Sequence, residues 1–339
     1  MSRPDEDDLI ARYFAPLAGP GGLSLLDDAA LIAPEPGCEM VLTVDALVEG
    51  VHFLPDDPPE SLGAKALGVN LSDLAAKGAD PVGFLLALAL PDGWTEDWLG
   101  AFCSGLGAAA AAAGCPLLGG DTVRAAGPLV LSVTALGQVP AGRMVRRTTA
   151  RPGDLMAVTG TIGDAVLGLA LLRGRSEPWD AALAPADRAF LIDRYRVPRP
   201  RLALAPALRD HASAAMDVSD GLAGDAAKLL RASGVAGHLD LDRIPLSPAA
   251  QAALASAPAA PAAPVLLDRL AGGGDDYEIL FTLPPERWDA MRRDAAAIGL
   301  ALTIVGEVRD GEGPLALRRG GSPTTIASPS FQHFGASPA

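Results

Sequence analysis

The sequence AAMDVSDGLAGDAAK, residues 214–228, gives the most direct indication of how this chain folds. Its first five residues are mostly apolar, and the turn Ser219-Asp220-Gly221 leads from them into a run with helical spacing. A strand that ends at such a turn delivers polar side chains to the edge of a sheet, where α/β proteins usually bind their ligands. The stretch therefore predicts an α/β fold with a ligand site at Asp217 and Asp220.

Five other segments repeat this pattern of an apolar run that meets aspartate among glycine or small residues. They are LLDDAA (25–30), VLTVDALVEGVHF (41–53), VNLSDLAAKGADP (69–81), PLLGGDT (116–122) and LAGGGDDYEI (270–279). The pattern predicts that the following aspartates lie in turns after strands: Asp27, Asp28, Asp45, Asp73, Asp121, Asp217, Asp220, Asp275 and Asp276.

Any single aspartate of this kind is more often a helix cap or a turn residue than a ligand. Six repetitions favour a cluster of carboxylates instead. Such a cluster needs cations to offset its mutual repulsion, and hard oxygen ligands suit Mg²⁺. The set therefore predicts several Mg²⁺ ions bound together with a polyphosphate.

Length and composition limit the class of protein. At 339 residues, 49% of them hydrophobic, the chain is long enough for two domains with sizeable cores. The apolar run at residues 84–90 is too short for a bilayer, which needs about 20 residues. No basic region followed by an apolar core begins the sequence, so we expect a cytoplasmic protein without an export signal or membrane partner.

Charge and cysteine content exclude further classes. The net charge of −14 argues against a nucleic-acid partner, because phosphate backbones are bound by clustered Lys and Arg. Three cysteines without C-x-x-C spacing, and only four histidines, support neither a disulfide framework nor a structural zinc site.

Glycine and proline residues divide the chain into predicted elements. An amphipathic helix over residues 9–17 precedes strands at 29–33, 40–44, 82–90 and 129–139, with helices over 59–69 and 95–113. The polar segment RRTTARPGD, residues 146–154, predicts a domain boundary. We therefore expect an N-terminal domain over 1–142 and a C-terminal α/β domain over 143–339.

Several well-known catalytic motifs do not occur in the sequence. It has no Walker loop, no protein-kinase H-R-D or D-F-G motif and no G-x-S-x-G elbow, so phosphate binding must depend on metals. Gly105 and Gly107 lie in an alanine-rich run, which favours close helix packing over a dinucleotide site. His52, close to Asp45 in sequence, is either a site residue or a hydrogen-bonded loop histidine.

With these segments in order, the chain resembles the thiamine-monophosphate kinase family, within the superfamily of aminoimidazole ribonucleotide synthetase. The motifs DDAA, TVDALVEGVHF, LLGGDT, VTGTIGD, DVSDGL, GGGDDYEI and FQHF follow the family's order over nearly the whole chain. The resemblance implies transfer of the γ-phosphate of ATP to thiamine monophosphate, giving thiamine diphosphate. It also implies a two-domain α/β fold with mixed sheets, in which the N-terminal sheets of two subunits form a barrel-like homodimer.

The same resemblance implies roles for individual residues. The catalytic residues would be Asp45, Asp73, Asp121 and Asp217. The Mg²⁺ ligands would be Asp28, Thr43, Val44, Asp45, Asp73, Asp121, Asp217 and Asp220. ATP would contact Gly120, Asp121, Arg147 and Ser219, and the thiamine substrate would contact His52, Asp275 and Ser328.

Three of these positions depart from the family pattern. Val44 stands where the family has a hydroxyl residue, so this metal contact is either lost or made by the backbone carbonyl. Asp275 replaces a glutamate, which shortens its reach by one methylene. Ser328 lies where relatives carry an aromatic residue that covers the substrate.

Two alternatives stay open. One is another ATP-dependent synthetase or dehydratase of the same superfamily, although the cysteines on which such relatives rely near their termini do not occur here. The other is a protein that binds Mg-ATP without turnover.

Overall fold

The structure, a computed structural model, describes residues 6–174, 177–257 and 262–331. The described chain forms two compact units. The first comprises residues up to Met144 together with Arg196–Leu202, and the second comprises Val145–Tyr195 and the residues from Ala203 onward. Of the FQHF motif only Phe331 is described, and residues 332–334 lie outside the described ranges.

The first unit contains a four-stranded mixed sheet with the strand order β1-β4-β2-β3. Its strands are β1 (Cys38–Val48), β2 (Asp80–Leu90), β3 (Leu117–Arg124) and β4 (Val130–Pro140). Only β2 and β3 run parallel. Every second residue of β4 is buried, the pattern of a strand with one covered face. The sheet is open within this chain, and the two-subunit barrel stays a prediction.

Helices cover one face of this sheet. After the short α1 (Glu6–Leu9) and the helical turns that follow it, α2 (Pro59–Ala76) packs on α3 (Glu96–Ala113) and on β1 and β4. The two helices approach closely, because a Cβ at Gly105 would lie 1.9 Å from the Glu60 carbonyl oxygen and one at Gly63 would lie 2.2 Å from that of Phe102. This packing confirms the structural interpretation of Gly105.

The strand predicted at residues 29–33 is wrong, because this segment is irregular. Its Leu31 amide donates to the Gly21 carbonyl at 2.9 Å instead of pairing with a strand. Pro34 and Pro36 follow at once, and neither has an amide hydrogen to offer to a sheet.

The second unit contains a seven-stranded mixed sheet with the order β11-β10-β7-β9-β5-β8-β6. Its strands are β5 (Leu155–Thr159), β6 (Ala214–Val218), β7 (Ala236–Asp240), β8 (Glu278–Leu283), β9 (Leu302–Arg309), β10 (Ala316–Arg319) and β11 (Ser322–Thr324). The edge strand β6 and its neighbour β8 are buried along their whole length, so this sheet carries the core of the unit.

Helices pack against this sheet and against one another. They are α4 (Asp164–Leu172), α5 (Pro185–Arg196), α6 (Ala205–His211), α7 (Leu222–Ser233), α8 (Pro248–Ser256), α9 (Ala262–Gly272) and α10 (Trp288–Ala297). Leu222, Ala226 and Leu229 of α7 join the apolar cluster of β5, β6 and β8. None of the helices in the described ranges is both long and apolar enough to cross a membrane.

Candidate functional site

The prediction that all the site aspartates lie in turns is wrong for four of them, which lie inside strands or a helix: Asp45, Asp73, Asp121 and Asp217. The apolar pattern continues past them. Leu47 extends the pairing of β1 with β4, and Leu74 extends the buried face of α2. The other predicted aspartates do lie outside regular elements: Asp27, Asp28, Asp220, Asp275 and Asp276.

Strand β1 and helix α2 bring three of the predicted metal ligands together. The Thr43 hydroxyl donates to Asp73 Oδ2 at 2.5 Å. The Asp45 amide donates to Asn70 Oδ1 at 3.1 Å, and the fully buried Asn70 side chain is itself fixed by donating to the Ala66 carbonyl at 3.2 Å. Thr43 and Asp45 share the helix-covered face of β1, since side chains two residues apart point the same way.

His52 is held in the turn that follows β1. Its Nδ1 accepts the Val48 amide hydrogen at 3.0 Å, which assigns the proton of the neutral ring to Nε2. The His52 carbonyl accepts a hydrogen bond from Lys65 Nζ at 3.0 Å, although Lys65 is only 2% exposed. Lys65 and Asn70 are residues that sequence reasoning missed, and their one signal is polarity inside an apolar helix.

Asp121 lies elsewhere in the first unit. Across the sheet, Asp121 of β3 is in register with Ala87 of β2. Ala87 is in register with Ser132 of β4, and Ser132 with Ala46 of β1. This register puts Asp121 on the sheet face opposite Asp45. Three strand spacings separate the edge strands β1 and β3, or about 14 Å.

The open face next to Asp121 borders a cavity of about 790 Å³, whose lining includes Asp27, Asp28, Gly119, Gly120 and Asp121. Ligand pockets are typically about 300–1,000 Å³. A Cβ at position 120 would lie 1.9 Å from the Leu86 carbonyl oxygen, so only glycine allows β3 to lie this close to β2. The structure therefore groups Asp28 with Asp121, apart from Thr43 and Asp73. Val44 is 60% exposed on this same open face.

In the second unit, the turn after β6 is organised by a buried carboxylate. Asp225 Oδ2 accepts the amide hydrogens of Ser219 and Asp220 at 3.1 and 3.0 Å. Lys228 pairs with both Asp220 and Asp225. Burial raises the pKa of Asp225, and its hydrogen bond to Lys228 opposes that rise. Sequence reasoning missed both Asp225 and Lys228.

The segment Gly274–Tyr277 lies directly on this turn. The Asp275 and Tyr277 amides donate to the Ser219 and Val218 carbonyls, both at 2.9 Å. Both residues have positive φ, 69° and 50°, which costs a non-glycine residue about 1–3 kcal/mol. The Tyr277 hydroxyl donates to Asp275 Oδ1 at 3.1 Å and so orients that carboxylate.

The chain near Ser328 packs against the same loop. A Cβ at Gly272 would lie 2.0 Å from the Ser328 carbonyl oxygen. The Phe331 amide donates to the Asp220 carbonyl at 2.9 Å. Asp220, Asp275 and Ser328 thus belong to one loop cluster, with Asp217 buried at the end of β6 beside it. Arg147 is exposed, and its carbonyl accepts a hydrogen bond from Ser233 Oγ at 3.0 Å.

The carboxylate and hydroxyl oxygens of the predicted metal ligands fit Mg²⁺ that is bound by few protein groups together with substrate phosphates. Among the described residues, no three His, Cys, Asp or Glu side chains form a complete metal cage. Mg²⁺ usually takes one or two carboxylates and completes its octahedron with water and substrate phosphates. The Thr43–Asp73 pair and the Asp28–Asp121 pair each offer donors of that kind.

Comparison with known proteins agrees with the two-domain fold that the motifs implied. Residues 26–139 match the N-terminal domain, and residues 151–315 the C-terminal domain, of AIR synthase related proteins. The thiamine-monophosphate kinase of Caulobacter vibrioides is 44% identical over 94% of this chain and 88% of its own length.

Solved structures of thiamine-monophosphate kinases are also similar to this chain. The crystal structure of thiamine-monophosphate kinase from Stenotrophomonas maltophilia K279a is 41% identical with a TM-score of 0.77, over 88% of this chain and 91% of that one. AaThiL complexed with AMPPCP and TMP is 31% identical with a TM-score of 0.76, over 98% of this chain and 99% of that one. Because these identities extend over nearly its whole length, the chain belongs to the thiamine-monophosphate kinase family.

Proposed function

We propose that this protein transfers the γ-phosphate of ATP directly to the phosphate of thiamine monophosphate, giving thiamine diphosphate and ADP. The observation that carries the proposal is the end-to-end likeness to AaThiL, which is complexed with AMPPCP and TMP. The name of the Caulobacter relative supports the same activity.

The chemistry suits the residues of this chain. An oxygen of the acceptor phosphate forms the new bond to the γ-phosphorus, while the bond from that phosphorus to the β–γ bridging oxygen breaks and ADP leaves. The second pKa of a phosphate monoester is about 6, so the acceptor is already largely a dianion at neutral pH. No strong general base is needed, which agrees with the lack of a nucleophile motif in the sequence. The protein has to align and neutralise two anions.

We assign the first unit to nucleotide and metal binding and to dimer formation. Separate Mg²⁺ ions, one group bound by Asp28 and Asp121 and another by Thr43, Asp45 and Asp73, would neutralise phosphate charge, and Val44 would contribute at most its carbonyl. Gly120 lines the cavity beside Asp121 and would contact a nucleotide bound there. His52, with its proton on Nε2, offers a donor to the thiamine substrate.

In the second unit we assign Asp217 and Asp220 to metal binding, and Ser219 and Arg147 to ATP. Asp275 faces the same loop cluster, and its carboxylate suits the cationic thiazolium or the amino group of the pyrimidine. Ser328 belongs to this substrate side.

We also propose that the protein is a cytoplasmic homodimer that binds neither nucleic acid nor membrane. The open sheet face of the first unit supports the dimer, because Leu42, Val44 and Val123 are 61%, 60% and 48% exposed there. Sedimentation should show a dimer that Leu42→Asp converts to a monomer. A monomeric wild-type protein would reject this interface.

The activity is tested by following ATP, Mg²⁺ and thiamine monophosphate with the purified protein by phosphorus NMR. Thiamine diphosphate should appear together with an equal amount of ADP. Release of free phosphate, or ATP binding without that product, would point to another acceptor or to a protein that only binds Mg-ATP.

A further inference from the structure

A cluster of buried charged side chains adjoins the segment Gly274–Tyr277 in the second unit. Asp164, Asp276, Glu278 and Arg194 are all less than 5% exposed. Arg194 Nη2 donates to Glu278 Oε1 at 2.9 Å, and Arg194 Nε lies 3.9 Å from Asp164 Oδ2. None of these four residues has a role in the transfer described above.

The cluster holds the backbone of the loop as well as its own charges. Arg194 Nη2 also donates to the Asp276 carbonyl at 3.2 Å. Both carboxylate oxygens of Asp276 accept the Gly163 amide hydrogen, at 2.9 and 3.0 Å. Asp276 is therefore fixed both through its side chain and through its main chain.

The residues on either side of Asp276 are fixed to a different element. The Asp275 and Tyr277 amides donate to the carbonyls of Ser219 and Val218. Asp275 and Tyr277 thus bond to the end of β6 and the turn that follows it, whereas Asp276 between them bonds to Gly163 before α4 and to Arg194 of α5. Such two-sided attachment is what keeps Asp275 and Tyr277 at positive φ, a conformation that persists only where the surroundings over-determine it.

We propose that Asp276 is a positioning residue for the thiamine substrate: held by Gly163 and Arg194, it keeps Asp275 and Tyr277 in the conformation in which the Tyr277 hydroxyl orients the Asp275 carboxylate. The inference rests on the proposed function, in which Asp275 contacts that substrate. Without the anchor the segment relaxes toward ordinary φ values, and the Asp275 carboxylate moves away from its hydrogen-bond partner.

A role in packing alone explains the cluster poorly. A buried carboxylate is costly, and apolar side chains of similar volume often stabilise a protein at least as well. Burial raises the pKa of Asp276 well above its usual value, and the Gly163 amide opposes that rise. The bonds of this costly group converge on the backbone of one strained loop, which is the arrangement expected for positioning.

The test compares Michaelis constants for the two substrates in three variants. Asp276→Ala should raise the KM for thiamine monophosphate about tenfold or more and leave the KM for ATP within about twofold, as for the loss of one well-placed hydrogen bond. Asp276→Asn keeps an oxygen that accepts the Gly163 amide hydrogen, so it should restore most of the affinity. Tyr277→Phe removes only the hydroxyl and should weaken thiamine monophosphate alone.

Asp154→Ala is the matched control. Asp154 is also a buried carboxylate that accepts a backbone amide hydrogen, from Arg151 at 2.9 Å. Its loss should lower thermal stability without changing either KM. If Asp276→Ala behaves in the same way, or raises both constants equally, the positioning role is overturned.

Failure of Asp276→Ala to fold and lack of activity in the wild-type protein have different consequences. If Asp276→Ala does not fold, Tyr277→Phe decides: an unchanged KM for thiamine monophosphate in that variant overturns the inference. A wild-type protein that forms no thiamine diphosphate rejects the proposed function itself, and that result comes before any variant is compared.

Discussion

Replacing Arg194 with methionine would test how the second unit tolerates three buried carboxylates. Methionine has a similar length and no charge. In the wild-type protein the Arg194 guanidinium lies 2.9 Å from Glu278 Oε1 and 3.9 Å from Asp164 Oδ2, and all three side chains are at most 4% exposed. In the variant the carboxylates of Glu278 and Asp164 stay buried but lose the positive charge of the guanidinium.

The expected loss of stability is large. Breaking a buried ion pair by removing one partner costs about 3–5 kcal/mol. For a domain of about 150–250 residues, 1 kcal/mol corresponds to roughly 2–4 °C in Tm. The transition of the second unit should therefore fall by about 6–20 °C.

The loss should also depend on pH. Burial raises the pKa of Asp164 and Asp276, and the charge of Arg194 opposes that rise. A carboxyl group whose pKa is higher in the folded state favours folding below its unfolded pKa, and this contribution is lost as the pH rises through the folded pKa. Without Arg194 the folded pKa values rise further, so the deficit of the variant should be greater at pH 8 than at pH 5.

The assay is thermal unfolding followed by circular dichroism at both pH values. Arg188→Met is the control, because Arg188 pairs with Asp180 while 40% exposed, and such a pair is worth at most about 1 kcal/mol. If Arg194→Met is no less stable than Arg188→Met, or if its deficit is the same at pH 5 and pH 8, the guanidinium does not neutralise the buried carboxylates.

Three substitutions in the first unit test the proposed site. Asp45→Asn should abolish phosphate transfer and leave the circular dichroism spectrum unchanged, because the Asp45 amide keeps its bond to Asn70; normal turnover would remove Asp45 from the site. His52→Ala should raise the KM for thiamine monophosphate far more than the KM for ATP, whereas equal losses would make His52 structural. Gly120→Ala puts a methyl group 1.9 Å from the Leu86 carbonyl oxygen, so β2 and β3 must separate. ATP binding measured by calorimetry should therefore weaken, whereas full affinity would show that the two strands separate without disturbing the ATP site.

The order of motifs in the sequence predicted the family and the two-domain α/β fold correctly, because the ordered set extends over nearly the whole chain and most of its motifs join an apolar run to a turn. The local context of the aspartates was less predictable. The helix predicted over 59–69 extends to Ala76, since Asn70 and Asp73, which look like helix-breaking polar residues, find partners on β1. Local propensity cannot reveal such tertiary partners.

The buried charges were beyond sequence reasoning for a related reason. Thr159 donates to Glu278 across 119 positions, and Arg194 reaches the same carboxylate from a helix that carries no site motif. The aspartates attract attention because they recur after apolar runs, whereas Arg194 is one of several charged residues in α5 and Lys65 is the one basic residue of α2. Their role depends on which element packs beside them.

The distribution of buried polar groups fits the proposed reaction. An acceptor phosphate needs no activated nucleophile, so the rate depends on how accurately two anions are held in line. The glycines of the loop serve the same end: a Cβ at Gly274 would lie 2.3 Å from the Ser219 carbonyl oxygen, so this loop can rest on the turn only without side chains there. Asp225 under that turn and Asp276 under the loop each direct a buried carboxylate at backbone amides. In this protein, accordingly, buried carboxylates fix the main chain that carries the half-buried site residues Ser219, Asp220 and Asp275. Substitutions that keep those amide bonds should therefore cost less activity than substitutions that keep only the volume.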